Sequence, residues 1–404
     1  MIFVICKYIL QSLIRLPPPC WSQMTSTEDR NRLQPHPQLH TSGWTLEDGW
    51  IKQRAQAIME PVETRQHPAI KPSDLSVGDV RRSIDVIRSV MSSAVRAVVE
   101  RGGSVTQNKL FHYIVTDRTD LAPDFVSLLI EMGVNPNVKN SCGSTPILLC
   151  ARSNEGKHAV RIIKILLSHG ADLAEENNAK QCVLHYAAMN PSEEAKHIMK
   201  LLINCRLDLN RKDCDGYTPL MVCALKNQGP NAAAMIQLLL DYGADLKAET
   251  GNKINALHLA ALNRSKYAVY VINLLIQRGL KPDKKCSSGF TPLLACALRN
   301  EGEYGTEILT LLLACGADLR ARTNRKLSAL HLAAMNPSKQ AADMIRLLVD
   351  RGLNPNRKSF LGLTPLRCAR YNIGPYTPDV ILALLKGQIY QPTIGCFGRI
   401  FQCS

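Results

Sequence analysis

No apolar run in this 404-residue sequence approaches the roughly 18 residues that would span a bilayer as a helix, so a helical membrane protein is excluded. Catalytic signatures are also missing. No glycine-rich phosphate loop follows a strand pattern, and no serine or cysteine stands in a recognisable nucleophile setting. Metal-ligand sets are equally scarce. Cys182 and His185 have ligand spacing, but a zinc site needs two further ligands nearby. Cys182 instead fills a slot held elsewhere by Thr218 and Thr291, and His185 one held by His258 and His331. Asp213-Cys214-Asp215-Gly216 lacks the oxygen-ligand series of a calcium loop and reads as a hairpin turn. No catalytic, cofactor-binding or metal-ligating residue is therefore assigned, and neither an enzyme nor a cofactor is expected.

What is present is a pattern of paired helices, clearest from Leu327 to Asn356. Ser328 to Ala334 sets small residues around two leucines, as close helix packing requires. Asn336-Pro337-Ser338 ends that helix, and Ser338 is expected to cap a second one in which Ala341, Ile345 and Leu348 share a face. Gly352 should close it in the left-handed conformation, which is cheapest without a Cβ. The apolar anchor of the first helix recurs at Phe111, Ile147, Leu184, Leu220, Leu257, Leu293, Leu330 and Leu366, at intervals of 36 and 37. The closing glycine keeps the same clock at Gly133, Gly170, Gly243, Gly279, Gly316 and Gly352, with Arg206 in one slot. Two independent markers with one period identify a repeat array of eight units.

Thr145-Pro146-Ile147, Thr218-Pro219-Leu220, Thr291-Pro292-Leu293 and Thr364-Pro365-Leu366 alternate with Leu184-His185, Leu257-His258 and Leu330-His331. Together with Gly243-Ala244-Asp245 and Gly316-Ala317-Asp318, these motifs resemble the ankyrin-repeat family, whose threonine-proline-leucine-histidine signature is here divided among units. The resemblance covers roughly Ser104 to Gly387. It implies an all-α fold, an ankyrin-type helical repeat solenoid with short β-hairpin fingers, and a binding role without naming a partner. His112, His185, His258 and His331 form a ladder 73 residues apart, like family histidines that hydrogen-bond within the fold.

The units depart from the usual family length of about 33 residues, and the excess lies between the two helices. Odd units carry Asn190-Pro191-Ser192, Asn263-Arg264-Ser265 and Asn336-Pro337-Ser338 there, even units Asn154-Glu155-Gly156, Asn227-Gln228-Gly229 and Asn300-Glu301-Gly302. The true repeat is a pair of 73 residues. Either the array grew by duplicating pairs, or alternate loops present two different surfaces.

Ahead of the array, residues 1–75 read as a mostly disordered leader. Met1 to Leu16 is apolar with Lys7 and Arg15 and no acid, so it is either a targeting segment or a leader with Met24 as a second start. Thr45 to Met59 reads as a docking motif or a weak helix. Residues 76–103 form a helical half repeat that should cover the apolar edge of the first unit, since a solenoid needs caps. Eight repeats occupy 104–387, and 388–404 is a tail. Cys150, Cys223 and Cys296 share one slot at intervals of 73 and are too far apart for disulfides. As small core residues they fit a reducing compartment, hence a cytoplasmic protein that could also be nuclear.

Charge remains. The net charge is +15, and residues 1–103 contribute little of it, with 13 basic against 10 acidic residues. Basic residues cluster just after the second helices, where the fingers project: Lys139, Arg211, Lys212, Lys247, Lys284, Lys285, Arg320, Arg322, Arg357 and Lys358. Only the unit with Glu175 and Glu176 breaks the series. Stacking turns this series into a basic edge that is either an ordinary wet surface or a lure for an acidic partner. These ten residues are the candidate partner-binding set of a monomeric, non-enzymatic scaffold or adaptor. A polyanion, nucleic acid or anionic lipid, is the alternative ligand; no aromatics interleave with the charges as single-strand stacking would want.

Overall fold

The computed structural model describes residues 107–389 apart from Ile373. The leader, the half repeat over 76–103 and the tail from 390 onward lie outside the described residues.

Among the described residues sixteen helices follow one another as alternating first and second members of a pair: α1 (107–114), α2 (Ala122–Glu131), α3 (Pro146–Ser153), α4 (Ala159–Ser168), α5 (Val183–Met189), α6 (Ala195–Asn204), α7 (Pro219–Lys226), α8 (Ala232–Asp241), α9 (Ala256–Ala260), α10 (Ala268–Gln277), α11 (Pro292–Arg299), α12 (Gly305–Ala314), α13 (Ala329–Ala334), α14 (Ala341–Asp350), α15 (Pro365–Ala369) and α16 (Thr377–Ile389). From α3 onward each first helix packs on the first helix of the next unit, where there is one, and on its own second helix, and second helices pack on second helices. The fold is an all-α repeat solenoid. No described helix is long and apolar enough to cross a membrane.

The local chemistry follows the two unit types. Even units begin α7, α11 and α15 with proline in the first turn, where its missing N–H costs nothing, and Thr218, Thr291 and Thr364 accept from the backbone N–H three residues on. Odd units begin with a capping box in which Cys182, Asn255 or Ser328 pairs with His185, His258 or His331. The anchors from Phe111 to Leu330 are at most 1% exposed. The closing glycines all take positive φ, 84° to 103°, and Arg206 takes 58° in the same slot. Ser338 does not cap α14. That helix starts at Ala341 with no side-chain cap, and the Ser338 carbonyl, not its hydroxyl, receives the Ala341 N–H.

The fingers are turns rather than ladders. Among the described residues the only β-bridge joins Arg322 to Ser328. Each finger closes with two backbone bonds: in one, the Asp213 N–H donates to the Tyr217 carbonyl and the Gly216 N–H to the Asp213 carbonyl. The tip residue has positive φ, and its identity alternates: Gly143, Lys180, Gly216, Lys253, Gly289, Lys326 and Gly362. Most neighbouring tips join through one backbone bond, as from Cys214 N–H to the Ala179 carbonyl at 3.0 Å and from Phe360 N–H to the Arg325 carbonyl at 3.1 Å.

The inter-helix loops are tied by an asparagine ladder. Asn154, Asn190, Asn227, Asn263, Asn300 and Asn336 are at most 1% exposed. Each amide nitrogen donates to two carbonyls of the preceding unit, and each side-chain oxygen accepts its own chain's N–H two residues on. Three of the four hydrogen-bonding positions of a buried amide are thus filled at every rung. The loop types differ because even loops press on the odd loop before them. A Cβ on Gly229 would overlap the Pro191 carbonyl, and one on Gly302 would stand 2.7 Å from the Arg264 Cα. Internal packing therefore demands the glycine in alternate loops.

Candidate functional site

The ten basic residues lie along the fingers, as the sequence pattern places them. Seven are exposed, and Arg211, Lys284 and Arg322 are half-buried. The edge is not uniformly bare. Lys139 pairs with Glu175 at 2.6 Å, Arg211 with Glu176 at 2.6 Å and Lys284 with Glu249 at 2.7 Å, each across neighbouring units. The Lys212 ammonium also donates to the Glu249 carbonyl at 2.9 Å. The acidic unit that interrupts the basic series thus neutralises its two neighbours. Exposed pairs of this kind contribute at most about 1 kcal/mol each, so their effect is on the local field. Among the described residues Lys247, Lys285, Arg320, Arg322, Arg357 and Lys358 enter no ion pair, and five of these six lie at or beyond residue 285.

The histidine ladder belongs to the fold. Nε2 of His112, His185, His258 and His331 lies 2.9–3.1 Å from a backbone carbonyl of the following finger, those of Val138, Tyr217, Phe290 and Leu363. At His331 the Ser328 N–H and hydroxyl face Nδ1, so the ring accepts on Nδ1 and donates from Nε2 as a neutral imidazole. Burial pushes His112, His258 and His331 below the ordinary histidine range. Cys182 differs from its counterparts. Burial raises its thiol, but the His185 ring, 3.1 Å away, more than offsets that and brings the thiol below its ordinary value. His185 is raised by the same contact despite its burial. The pair is 4% and 0% exposed, which denies it a substrate.

Cys150, Cys223 and Cys296 are fully buried, and their thiols point at the carbonyls of Ala159, Ala232 and Gly305. Desolvation raises all three, Cys223 to about 12. They are unreactive core groups. Among the described residues no cluster of three or more histidine, cysteine or acidic side chains could hold a metal ion.

The sequence pattern left one surface feature unread. Phe360 and Leu361, at the tip of the last finger, are 69% and 70% exposed. Their only visible signal is an apolar pair where the other tips carry polar or small residues.

The family model for ankyrin repeats matches residues 111–196, 157–250, 231–322 and 301–393, more than half of the chain. The chain belongs to the ankyrin-repeat family, whose repeats are generally protein–protein interaction modules. It is similar to Protein glp-1 of Caenorhabditis elegans, 24% identical over 57% of this chain and 18% of that protein. It is similar also to the B-cell lymphoma 3 protein homolog of Mus musculus, 27% identical over 56% of this chain and 48% of that one. A shorter stretch, 40% of the chain, is 26% identical to 15% of Intracellular phospholipase A2 of Caenorhabditis elegans. The chain spans less than half the length of each of these relatives.

Proposed function

We propose that the array is a non-enzymatic scaffold or adaptor, present as a monomer, that holds a protein partner across its fingers and first helices. The observation that carries this reading is the basic edge of Lys139, Arg211, Lys212, Lys247, Lys284, Lys285, Arg320, Arg322, Arg357 and Lys358, seven of them exposed and three half-buried, which suits a partner with acidic stretches. A cytoplasmic setting, with the nucleus as a second one, belongs to the same proposal and rests on the free core thiols.

The test is affinity purification from source-cell lysate, comparing the intact chain with a variant in which Arg211, Lys212, Lys284, Lys285, Arg320 and Arg322 become glutamine. Partners lost only from the variant support the reading, and nuclease treatment separates proteins from nucleic acid. A steep fall of affinity with salt, in proportion to phosphates neutralised, would move the assignment to a polyanion. An unchanged partner list, or crosslinks confined to second helices such as α14, would overturn it.

A further inference from the structure

Resting on the scaffold reading, we infer that the tips of the last two fingers form a site for an acidic peptide bearing large apolar side chains, built from Arg325, Lys326, Arg357, Lys358, Phe360 and Leu361.

Three observations converge there. The first is the apolar pair. The tip slot holds Ser141-Cys142, Asn178-Ala179, Cys214-Asp215, Gly251-Asn252, Ser287-Ser288 and Asn324-Arg325 in the other fingers, and Phe360-Leu361 only here. The turn closes the same way in all of them, with the Ser359 N–H donating to the Leu363 carbonyl and the Gly362 N–H to the Ser359 carbonyl. The fold therefore does not need phenylalanine and leucine at this tip, and it leaves both about 70% exposed. Single exposed apolar residues are ordinary, but an adjacent pair on a charged rim has the make-up of an anchor point.

The second is the charge around it. Arg325, Lys326, Arg357 and Lys358 are all exposed, and among the described residues none enters an ion pair. Residues 319–342 and 351–378 contain no aspartate or glutamate. Glu175, Glu176 and Glu249 neutralise earlier fingers, and the last two have no counterpart to them.

The third is contact. The Phe360 N–H bonds the Arg325 carbonyl, and the Lys326 ammonium stands 5.8 Å from the centre of the Phe360 ring. Cationic and apolar groups thus form one surface across two units. Uncompensated cations attract carboxylates at long range, and apolar side chains of the peptide cover the ring and the leucine at short range. A purely anionic polymer would use only half of this surface.

The probe is a fluorescein-labelled peptide of three Glu-Leu-Asp-Phe repeats, titrated into the full chain by anisotropy. Controls replace every leucine and phenylalanine of the peptide by serine, or use a short duplex DNA. The apolar variant is Phe360→Ser with Leu361→Ser, which installs the tip that this chain already carries at Ser287-Ser288 and so retains the turn. The charge variant is Arg325→Gln, Arg357→Gln and Lys358→Gln. Expected is binding of the first peptide, at least a tenfold loss in the apolar variant, and in the charge variant a loss with a flatter salt dependence. The site is overturned by absence of peptide binding, by equal binding in the apolar variant, or by equal affinity for the serine peptide or for DNA. Sedimentation of the native chain as a dimer that the apolar variant abolishes would assign the patch to a second copy. The scaffold reading survives such a failure if the six-glutamine variant still loses its partners while the apolar variant keeps them.

Discussion

The Asn263 amide nitrogen donates to the Asn227 carbonyl at 2.8 Å and to the Ala224 carbonyl at 3.0 Å, binding one unit's loop to the unit before it. Its side-chain oxygen accepts from the Ser265 N–H at 2.9 Å. Replacing Asn263 by Ala leaves two buried carbonyls and one N–H without partners. At about 1–3 kcal/mol for each group that water cannot reach, the expected loss in urea denaturation is about 3 kcal/mol. Asn263→Asp is expected to be worse near neutral pH, because a carboxylate cannot donate to carbonyls. Burial and those carbonyls raise the pKa of the new acid, so its penalty shrinks as pH falls. A ladder that merely fills space would make Ala and Asp equivalent.

Gly229 meets the Pro191 carbonyl, whereas Gly251 has open space around it. Gly229→Ala must displace the preceding loop, and overpacking of this kind costs about 1–3 kcal/mol. Gly251→Ala is expected to stay within about 0.5 kcal/mol, as surface substitutions usually do. Thermal melts of the two variants decide whether the alternation of loop types is enforced by packing. Equal effects would return it to a relic of duplication.

Much of this architecture was legible because it depends on spacing. The anchors from Phe111 to Leu330 are buried where the period places them, and the closing glycines take the left-handed conformation expected of them. What spacing could not show is which groups meet across units. The asparagines marked both loop types in the sequence, yet their role appears only when Asn190 reaches the Ala151 and Asn154 carbonyls. Pairing of Lys139 with Glu175 and of Arg211 with Glu176 joins residues about one repeat apart, so a basic edge read unit by unit overstates the charge of the early fingers. Ser338 fits a capping pattern, but three residues before Ala341 its hydroxyl is buried in the loop without a hydrogen-bond partner. The fingers follow the family's turn chemistry without enough paired residues to become strands.

Burial pushes His112, His258 and His331 below the ordinary histidine value, against His185 alone in the other direction, and the three lowered rings set the sign of the expected pH effect. The unfolded chain takes up protons near the ordinary value, about 6.5, while the folded rings stay neutral to lower pH. Their contribution is therefore present above about 6.5 and is lost as pH falls through that value towards the folded one. Urea midpoints measured between about pH 7.5 and about pH 5.5 should fall on acidification. In His331→Gln the chain should be less stable at the upper pH, having lost the bond to the Leu363 carbonyl, but its midpoint should move less with pH. An unchanged slope would remove His331 from the acid response.

Leu257 is fully buried in α9, which packs on α7 before it and α11 after it. Leu257→Ala removes contacts shared by three units, at a cost of about 2–5 kcal/mol. In a solenoid each unit touches only its neighbours, so stability is nearly a sum of unit and interface terms, and cooperativity survives while every interface outweighs its units' instability. Weakening the middle should let the helices before α9 and those after α9 unfold in separate transitions, seen in calorimetry as two peaks and in amide exchange as two protection levels. The asparagine ladder works against this outcome, since Asn263 and Asn300 still tie their loops to the units before them. A single transition in Leu257→Ala, turning into two when Asn263→Ala is added, would show that the ladder holds the halves together rather than the core of α9.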